Sequence, residues 1–277
     1  MLSDMMLTLA SLLLSGQAAA APMYVEGAGG VRLAYETHGR GPVVILIHGG
    51  GMDRRMWDPH VTELARDFTV VTFDVRGHGQ SGRPMRPEDY AMDRYVDDLH
   101  RLADAVGAKR FSIWGFSLGA SIGINAAARS DRIDRALIAG SHFGRIFTED
   151  MVAGTVSRIR ALLDAQEKGT LDVSTLKPNE RAAIERGDLP PTLGWLLAAP
   201  GWPATEPREV KAKMLLYVGT EDTNVIGKVR AGEAEMKAAG VEVRELSGLD
   251  HMAEVTRLDI VMPLARTFLR AGSSPGF

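Results

Sequence analysis

The sequence predicts an α/β fold in which a mostly parallel sheet is covered by helices on both faces. Two observations lead to this prediction. Short strand-like runs alternate with helical patterns from residue 23 onward. Several of the runs are also apolar throughout, as expected for central strands that are covered on both sides. With 277 residues the chain has a size at which α/β folds are commonly single domains.

The predicted strands are short, and most of them are continuously apolar. Val43–Ile47 has the sequence VVILI and is a clear central strand, whereas Val31–Thr37 alternates between apolar and polar residues. The other predicted strands are Phe68–Phe73, Phe111–Trp114, Ala136–Ala139, Met214–Val218 and Glu242–Leu246. The helical patterns lie near Trp57–Arg66, Tyr95–Val106, Leu118–Arg129 and Ile226–Ala239, and a closing helix extends to about Arg270.

One long stretch, at about residues 142–207, interrupts this alternation. It has helical patterns over Met151–Gln166 and Pro178–Arg186. Prolines crowd its end, at Pro190, Pro191, Pro200, Pro203 and Pro207. The stretch is too long for a plain connection between a strand and a helix. We therefore predict a helical cap that is inserted into a single domain spanning residues 23–277.

The first 22 residues allow two interpretations. Met5–Leu14 is an apolar run of the length found in signal peptides, and the alanines at positions 18–21 offer small-residue cleavage sites. Against export, no Lys or Arg precedes the run, and Asp4 does. Residues 1–22 are thus either a signal for export to the periplasm or the medium, or an upstream extension of a cytoplasmic protein. The run is too short to span a bilayer.

Composition excludes several classes of function. The formal net charge is −3, and no basic block is present that could follow a phosphate backbone, so we expect no nucleic-acid partner. The chain has no cysteine, which excludes disulfides, thiolate metal sites and a cysteine nucleophile. The same absence is compatible with either an oxidising or a reducing compartment.

The strongest chemical signal is the motif Gly115-Phe116-Ser117-Leu118-Gly119, which follows a predicted strand and begins a helix rich in small residues. A serine on a sharp strand-to-helix turn needs glycine neighbours because the strained backbone leaves little room for side chains. The turn lifts the Ser117 hydroxyl out of the sheet. It also places the Leu118 N–H at a helix N-terminus, where developing negative charge is favoured. We predict that Ser117 is a nucleophile.

A second motif, His48-Gly49-Gly50-Gly51, directly follows the strand VVILI. Glycines at the end of a strand allow backbone amides to approach a substrate closely, which suits the second half of an oxyanion hole. We predict that the Gly50 and Leu118 amides form this hole. A flexible turn is the alternative interpretation of the motif, and His48 is better explained as a structural hydrogen-bonding residue than as a catalyst.

Two further residues complete a triad in the chain order nucleophile, acid, base. Asp222 follows a predicted strand at the carboxyl edge, where sites in parallel sheets form. His251 lies in the loop between the last strand and the last helix, from which it can remove the proton of Ser117. Glu221 and Asp250 are competing carboxylates, and we favour Asp222, with Glu221 next.

These motifs, taken in order, resemble the α/β-hydrolase superfamily from about residue 24 to 270. The residues that carry the resemblance are Gly41-Pro42, His48-Gly49, the segment from Asp74 to Ser81, the Ser117 turn, Gly219 to Asp222, and Gly248 to His251. The resemblance implies an eight-stranded, mostly parallel sheet with a helical cap after the sixth strand. It also implies that Asp74, Arg76 and His78 belong to a structural turn and have no catalytic role. Haloalkane dehalogenases and epoxide hydrolases of this fold carry Asp at the position of Ser117, so we do not expect their chemistry here.

The expected reaction is hydrolysis of a carboxylic ester or lactone of small to medium apolar character through an acyl-enzyme on Ser117. It requires no metal and no organic cofactor, and the partner is a small-molecule substrate. Pocket residues are predicted from position alone: Gly51, Phe116, Phe143, Trp195 and Met252. Three alternatives stay open: a C–C bond hydrolase of ring-cleavage products, an acyltransferase or perhydrolase, and a non-catalytic ligand-binding protein of the same fold.

Overall fold

The computed structural model describes residues 21–271, so the interpretations of the segment before residue 21 lie outside the described residues. Eight strands form one sheet in the order β1-β2-β4-β3-β5-β6-β7-β8. They are β1 (Met23–Glu26), β2 (Arg32–His38), β3 (Val43–Ile47), β4 (Thr69–Phe73), β5 (Phe111–Phe116), β6 (Ile133–Ala139), β7 (Lys213–Gly219) and β8 (Glu242–Leu246). The pairs β1–β2 and β2–β4 are antiparallel, so β2 runs opposite to the rest of the sheet. Every other neighbouring pair is parallel. The predicted fold class is confirmed.

Helices cover both faces of this sheet. They are α1 (Asp58–Leu64), α2 (Met92–Ala105), α3 (Leu118–Arg129), α4 (Glu149–Glu167), α5 (Pro178–Glu185), α6 (Leu189–Ala198), α7 (Ile226–Ala238), α8 (Ala253–Thr256) and α9 (Leu258–Arg270). Alternate residues of β3 enter two separate cores because successive side chains of a strand point to opposite faces. Ile45 and Ile47 join the core of α2 and α3, whereas Val44 and Leu46 join that of α1 and α9.

Helices α4, α5 and α6 lie between β6 and β7, where the sequence predicts the helical cap. The two ends of this helical insertion meet, because the Gly144 N–H donates to the Thr205 carbonyl at 2.9 Å. The sequence patterns do not predict α6, because Pro190 and Pro191 fall among the prolines that crowd the end of this stretch. Both prolines lie in the first turn of α6, where the missing N–H costs no helical hydrogen bond.

No sequence pattern predicted β1 either. This edge strand of four residues leaves most of its side chains exposed, so it lacks the apolar alternation that identifies the other strands. In the part of the chain that is described, no helix combines the length and the apolar character that crossing a membrane requires.

Three buried histidines predict that the fold loses stability in mild acid. Burial lowers the pKa of His48, His60 and His78 to about 4. Because the unfolded chain binds protons more tightly, with a histidine pKa near 6.5, stability is full above that pH and is lost as the pH falls toward 4. Each ring contributes up to about 3 kcal/mol to this loss. Urea unfolding followed by circular dichroism at several pH values measures it.

The control compares a buried with an exposed histidine. His60→Phe should flatten the dependence of the unfolding free energy on pH between about 6.5 and 4, because one proton is no longer taken up on unfolding. His38→Phe should leave it nearly unchanged, since His38 is exposed. Equal slopes in wild type and His60→Phe would contradict the prediction.

Candidate active site

Ser117 lies at the turn between β5 and α3 with φ 53° and ψ −111°. It is the only non-glycine residue with positive φ among residues 21–271. Its neighbours have no side chains for a steric reason: a Cβ on Gly115 would overlap the carbonyl oxygen of Gly119, and one on Gly119 would overlap that of Ile47. The Ser117 N–H donates to the Ala139 carbonyl at 2.9 Å and ties the turn to β6. The G-x-S-x-G spacing is therefore what this close contact of α3 with β3 requires.

The loop after β3 lies against this turn. A Cβ on Gly50 would lie 3.8 Å from the Cβ of Leu118, so the two predicted oxyanion residues are neighbours. Leu118 is the first residue of α3, where backbone N–H groups lack partners within the helix. His48 fixes the loop: Nε2 accepts from the Val75 N–H at 2.9 Å, and Nδ1 donates to the Gly49 carbonyl at 2.8 Å. This is the structural role that the sequence predicts for His48.

Asp222 and His251 meet at the carboxyl edge of the sheet. Asp222 follows β7 and is 2% exposed, and its Oδ2 accepts a hydrogen bond from His251 Nδ1 at 2.6 Å. A proton on Nδ1 leaves the Nε2 lone pair available as a base. The imidazole packs on Phe116, the residue before Ser117, with 4.8 Å between ring centroids. The structure thus joins the predicted acid to the predicted base and places His251 beside the turn that carries Ser117.

The contact between serine and histidine is not made in this state. Within residues 21–271 the Ser117 hydroxyl forms no hydrogen bond, so the bond between Asp222 and His251 is the one formed among the three. Catalytic hydrogen bonds often tighten only when substrate binds. The competing carboxylates are engaged differently: Asp250 is exposed and its Oδ1 accepts from the Ala253 N–H at 2.8 Å, and Glu221 is exposed.

The five predicted pocket residues do not share one cavity. Gly51 borders a cavity of about 710 Å³, and the Trp195 ring lies next to Gly50 above the oxyanion loop. Phe116 is fully buried under the His251 ring, and Met252 is 42% exposed. Phe143 lines a separate cavity of about 190 Å³. A pocket that includes Gly51, Trp195 and Met252 therefore stays a prediction, and Phe143 lines a different cavity.

Charged side chains line the larger cavity, and its arginines are paired with acids. The ion pairs are Arg54 with Asp74, Arg55 with Asp53, Arg83 with Asp188, and Arg186 with Asp188. Arg54 is buried and holds the turn that begins at Asp74, through a contact of 2.7 Å. Arg76 is buried as well and pairs with Asp98 at 2.6 Å. These contacts agree with a structural role for the segment from Asp74 to Ser81.

Sequence reasoning missed Glu254, which lies three residues after His251 in α8. The side chain is fully buried, and its Oε1 accepts from the Gly219 N–H at 2.7 Å. Asp222, His251 and Glu254 each place one potential ligand atom within 4.8 Å of the others, the one such group found among residues 21–271. Since a proton already lies between Asp222 and His251, the group fits a proton network better than a metal site.

Comparisons with known proteins agree with this architecture. The family model described as "alpha/beta hydrolase fold" matches residues 42–171. The uncharacterized hydrolase YraK of Bacillus subtilis is 37% identical over 100 residues, which are 36% of this chain and 37% of that protein. The 2-hydroxy-6-oxo-6-(2'-aminophenyl)hexa-2,4-dienoic acid hydrolase of Metapseudomonas resinovorans is 34% identical over 122 residues, 42% of this chain and 41% of that protein. The matches thus span less than half the length of both relatives.

Among solved structures, the enol-lactonase from Burkholderia xenovorans LB400 superposes with a TM-score of 0.72 and 26% sequence identity. The superposition covers 89% of this chain and 99% of that protein. Similarity therefore extends over most of both chains.

Proposed function

The chain belongs to the α/β-hydrolase superfamily, and we propose that it hydrolyses carboxylic esters or lactones of small to medium apolar character through an acyl-enzyme on Ser117. The observation that carries this proposal is the 2.6 Å hydrogen bond between Asp222 and His251, beside the strained turn that holds Ser117. In the proposal Ser117 is the nucleophile, His251 the general base and Asp222 the acid that orients it.

The reaction follows from these roles. Ser117 Oγ attacks the substrate carbonyl carbon while its proton passes to His251 Nε2, and the Gly50 and Leu118 N–H groups donate to the oxyanion. The tetrahedral intermediate collapses, the bond to the alcohol oxygen breaks, and His251 returns the proton to the departing alcohol. Water then attacks the acyl-enzyme by the same route and releases the acid. Each step uses only groups of this chain, the substrate and water.

A second candidate is hydrolysis of a C–C bond, because the relative from Metapseudomonas resinovorans is named for that substrate class. Its dienoic acid substrate carries a carboxylate. The arginines that line the cavity beside Gly51 each have an acidic partner, so none of them is an unpaired cation for such a carboxylate. Similarity to an enol-lactonase over most of both chains also supports an ester or lactone as the substrate rather than a C–C bond.

A substrate panel tests the proposal. We expect p-nitrophenyl esters of short acyl chains and simple lactones to be hydrolysed with a higher kcat/KM than a vinylogous diketo acid. A reversed order would favour the C–C hydrolase. Alcohol or peroxide that outcompetes water for the acyl-enzyme would indicate an acyltransferase or perhydrolase. Saturable ligand binding without turnover of any ester would indicate a binding protein.

A further inference from the structure

Two carboxyl groups meet beneath His251, and each has one oxygen without a partner. Asp222 Oδ2 accepts from His251, and Glu254 Oε1 accepts from the Gly219 N–H. Asp222 Oδ1 and Glu254 Oε2 are both buried and have no well-aligned hydrogen bond from any described residue, and the Gly140 N–H is a further backbone donor near the Glu254 carboxyl. A buried carboxylate oxygen without a donor is costly, and here there are two, on side chains that are 2% and 0% exposed.

One proton satisfies both oxygens. A protonated carboxyl group has an O–H donor and keeps an acceptor oxygen, so it can donate to the neighbouring carboxylate and still accept from Gly219. The two carboxyl groups are neighbours, since one oxygen of each lies within 4.8 Å of the other and of a His251 ring nitrogen, and the interaction with the Asp222 side chain raises the pKa of Glu254. We propose that Glu254 is the protonated partner, that its O–H donates to Asp222 Oδ1, and that Glu254 is thereby a positioning residue for the acid of the triad.

The environment assigns the proton to Glu254. Asp222 faces the histidine, which becomes a cation during the proposed reaction, so a negative charge is useful on Asp222. Burial raises the pKa of Glu254 to about 8, the Gly219 N–H opposes that rise, and the charge of Asp222 adds to it. Two adjacent carboxyl groups in one buried site do not both ionise at neutral pH.

The titratable groups around Glu254 are few. Asp222 and His251 face it from the two catalytic loops, and Tyr217 of β7 donates its hydroxyl proton to the Glu254 backbone carbonyl at 2.9 Å. Burial holds the pKa of Tyr217 well above its usual value, so this group stays neutral. Asp222 is therefore the negatively charged neighbour that is affected when Glu254 ionises. Loss of the shared proton would leave Oδ1 without a donor and place a second negative charge beside it.

This inference rests on the proposed function, because it assumes that Asp222 is the acid of the triad. Glu254→Gln tests it with little change in shape: the amide is permanently neutral, its NH₂ can donate to Asp222 Oδ1, and its oxygen can accept from Gly219. We expect kcat near neutral pH to change by less than about twofold. The wild-type decline in kcat as the pH rises through about 8 should be absent from this variant.

Glu254→Leu removes the donor, and we expect kcat to fall about 10-fold to 100-fold at neutral pH with KM little changed. Glu235→Gln is the matched control, an exposed glutamate of α7 outside the site, and it should keep the wild-type pH profile. A Gln variant that is as impaired as Leu, or that keeps the alkaline decline, would overturn the proposal.

Infrared spectroscopy separates this inference from the proposed function. Wild type and Ser117→Ala should both show, near neutral pH, the carbonyl stretch of a buried protonated carboxyl group, and Glu254→Gln should lack it. The measurement uses no substrate. Absence of this band in wild type would overturn the shared proton even if the protein hydrolyses esters. Presence of the band without any ester turnover would support the shared proton and contradict the proposed function instead.

Discussion

Ser117→Ala is expected to lower kcat for p-nitrophenyl butyrate by roughly 10⁴-fold to 10⁶-fold, because no acyl-enzyme can form. The remaining rate over water would come from the oxyanion donors and from binding alone. The same variant should not react with a fluorophosphonate, which labels an activated serine. Steady-state kinetics and intact-mass measurement of the labelled protein record both effects.

The matched control is Ser112→Ala, which removes a partly buried hydroxyl of β5, the strand that ends just before Ser117. We expect its kcat and labelling to stay near wild type. Alanine at position 117 has to adopt the same positive φ as serine, so circular dichroism and urea unfolding should show that the variant keeps the fold. Activity of Ser117→Ala close to wild type would rule out Ser117 as the nucleophile.

Asp222→Asn is expected to lower kcat by about 10⁴-fold with little effect on the fold. Asparagine has nearly the same shape, but its amide can donate to His251 Nδ1 and thereby favours the tautomer that has its proton on Nε2. In that tautomer the histidine cannot accept the serine proton. The effect should appear in kcat and in the rate of fluorophosphonate labelling alike.

Glu221→Gln distinguishes the two candidate acids. Glu221 is exposed and adjacent to Asp222, so its substitution should leave kcat within about twofold of wild type. The opposite pattern, with loss of activity in Glu221→Gln and none in Asp222→Asn, would assign the acid to Glu221.

The sheet could be predicted from sequence wherever burial leaves a clear pattern. Val43–Ile47 is covered on both faces, so its apolar run alone fixes its bounds. Glu242–Leu246 is also predicted at its observed bounds although only Val243 of this strand is buried. Burial gives no such pattern at β1, which leaves most of its side chains exposed at the edge. Helix α6 was hidden because prolines in a first helical turn resemble prolines in a loop.

The residues of the candidate site also differ in whether the sequence alone could predict them. Ser117, Asp222 and His251 stand at strand ends, and strand ends of a parallel sheet meet at one edge, so their order in the chain was informative. Glu254 depends on the packing of α8 against the end of β7, which no local pattern contains. Phe143 follows β6 directly, and its distance from the predicted pocket depends on the direction in which the chain leaves the sheet.

The bond between Gly144 and Thr205 joins the two ends of the helical insertion, which also contacts the rest of the chain through the Arg83–Asp188 ion pair and through Trp195 beside Gly50. Thr205 also donates its hydroxyl proton to Asn125 Oδ1 at 2.9 Å, which anchors these ends to α3, the helix that begins after Ser117. Ser117, Asp222 and His251 all lie outside the insertion. Exchanging the residues between Gly144 and Thr205 for the same segment of a relative would leave Ser117, Asp222 and His251 in place but replace Trp195 beside Gly50, so we expect such a chimera to differ in substrate preference.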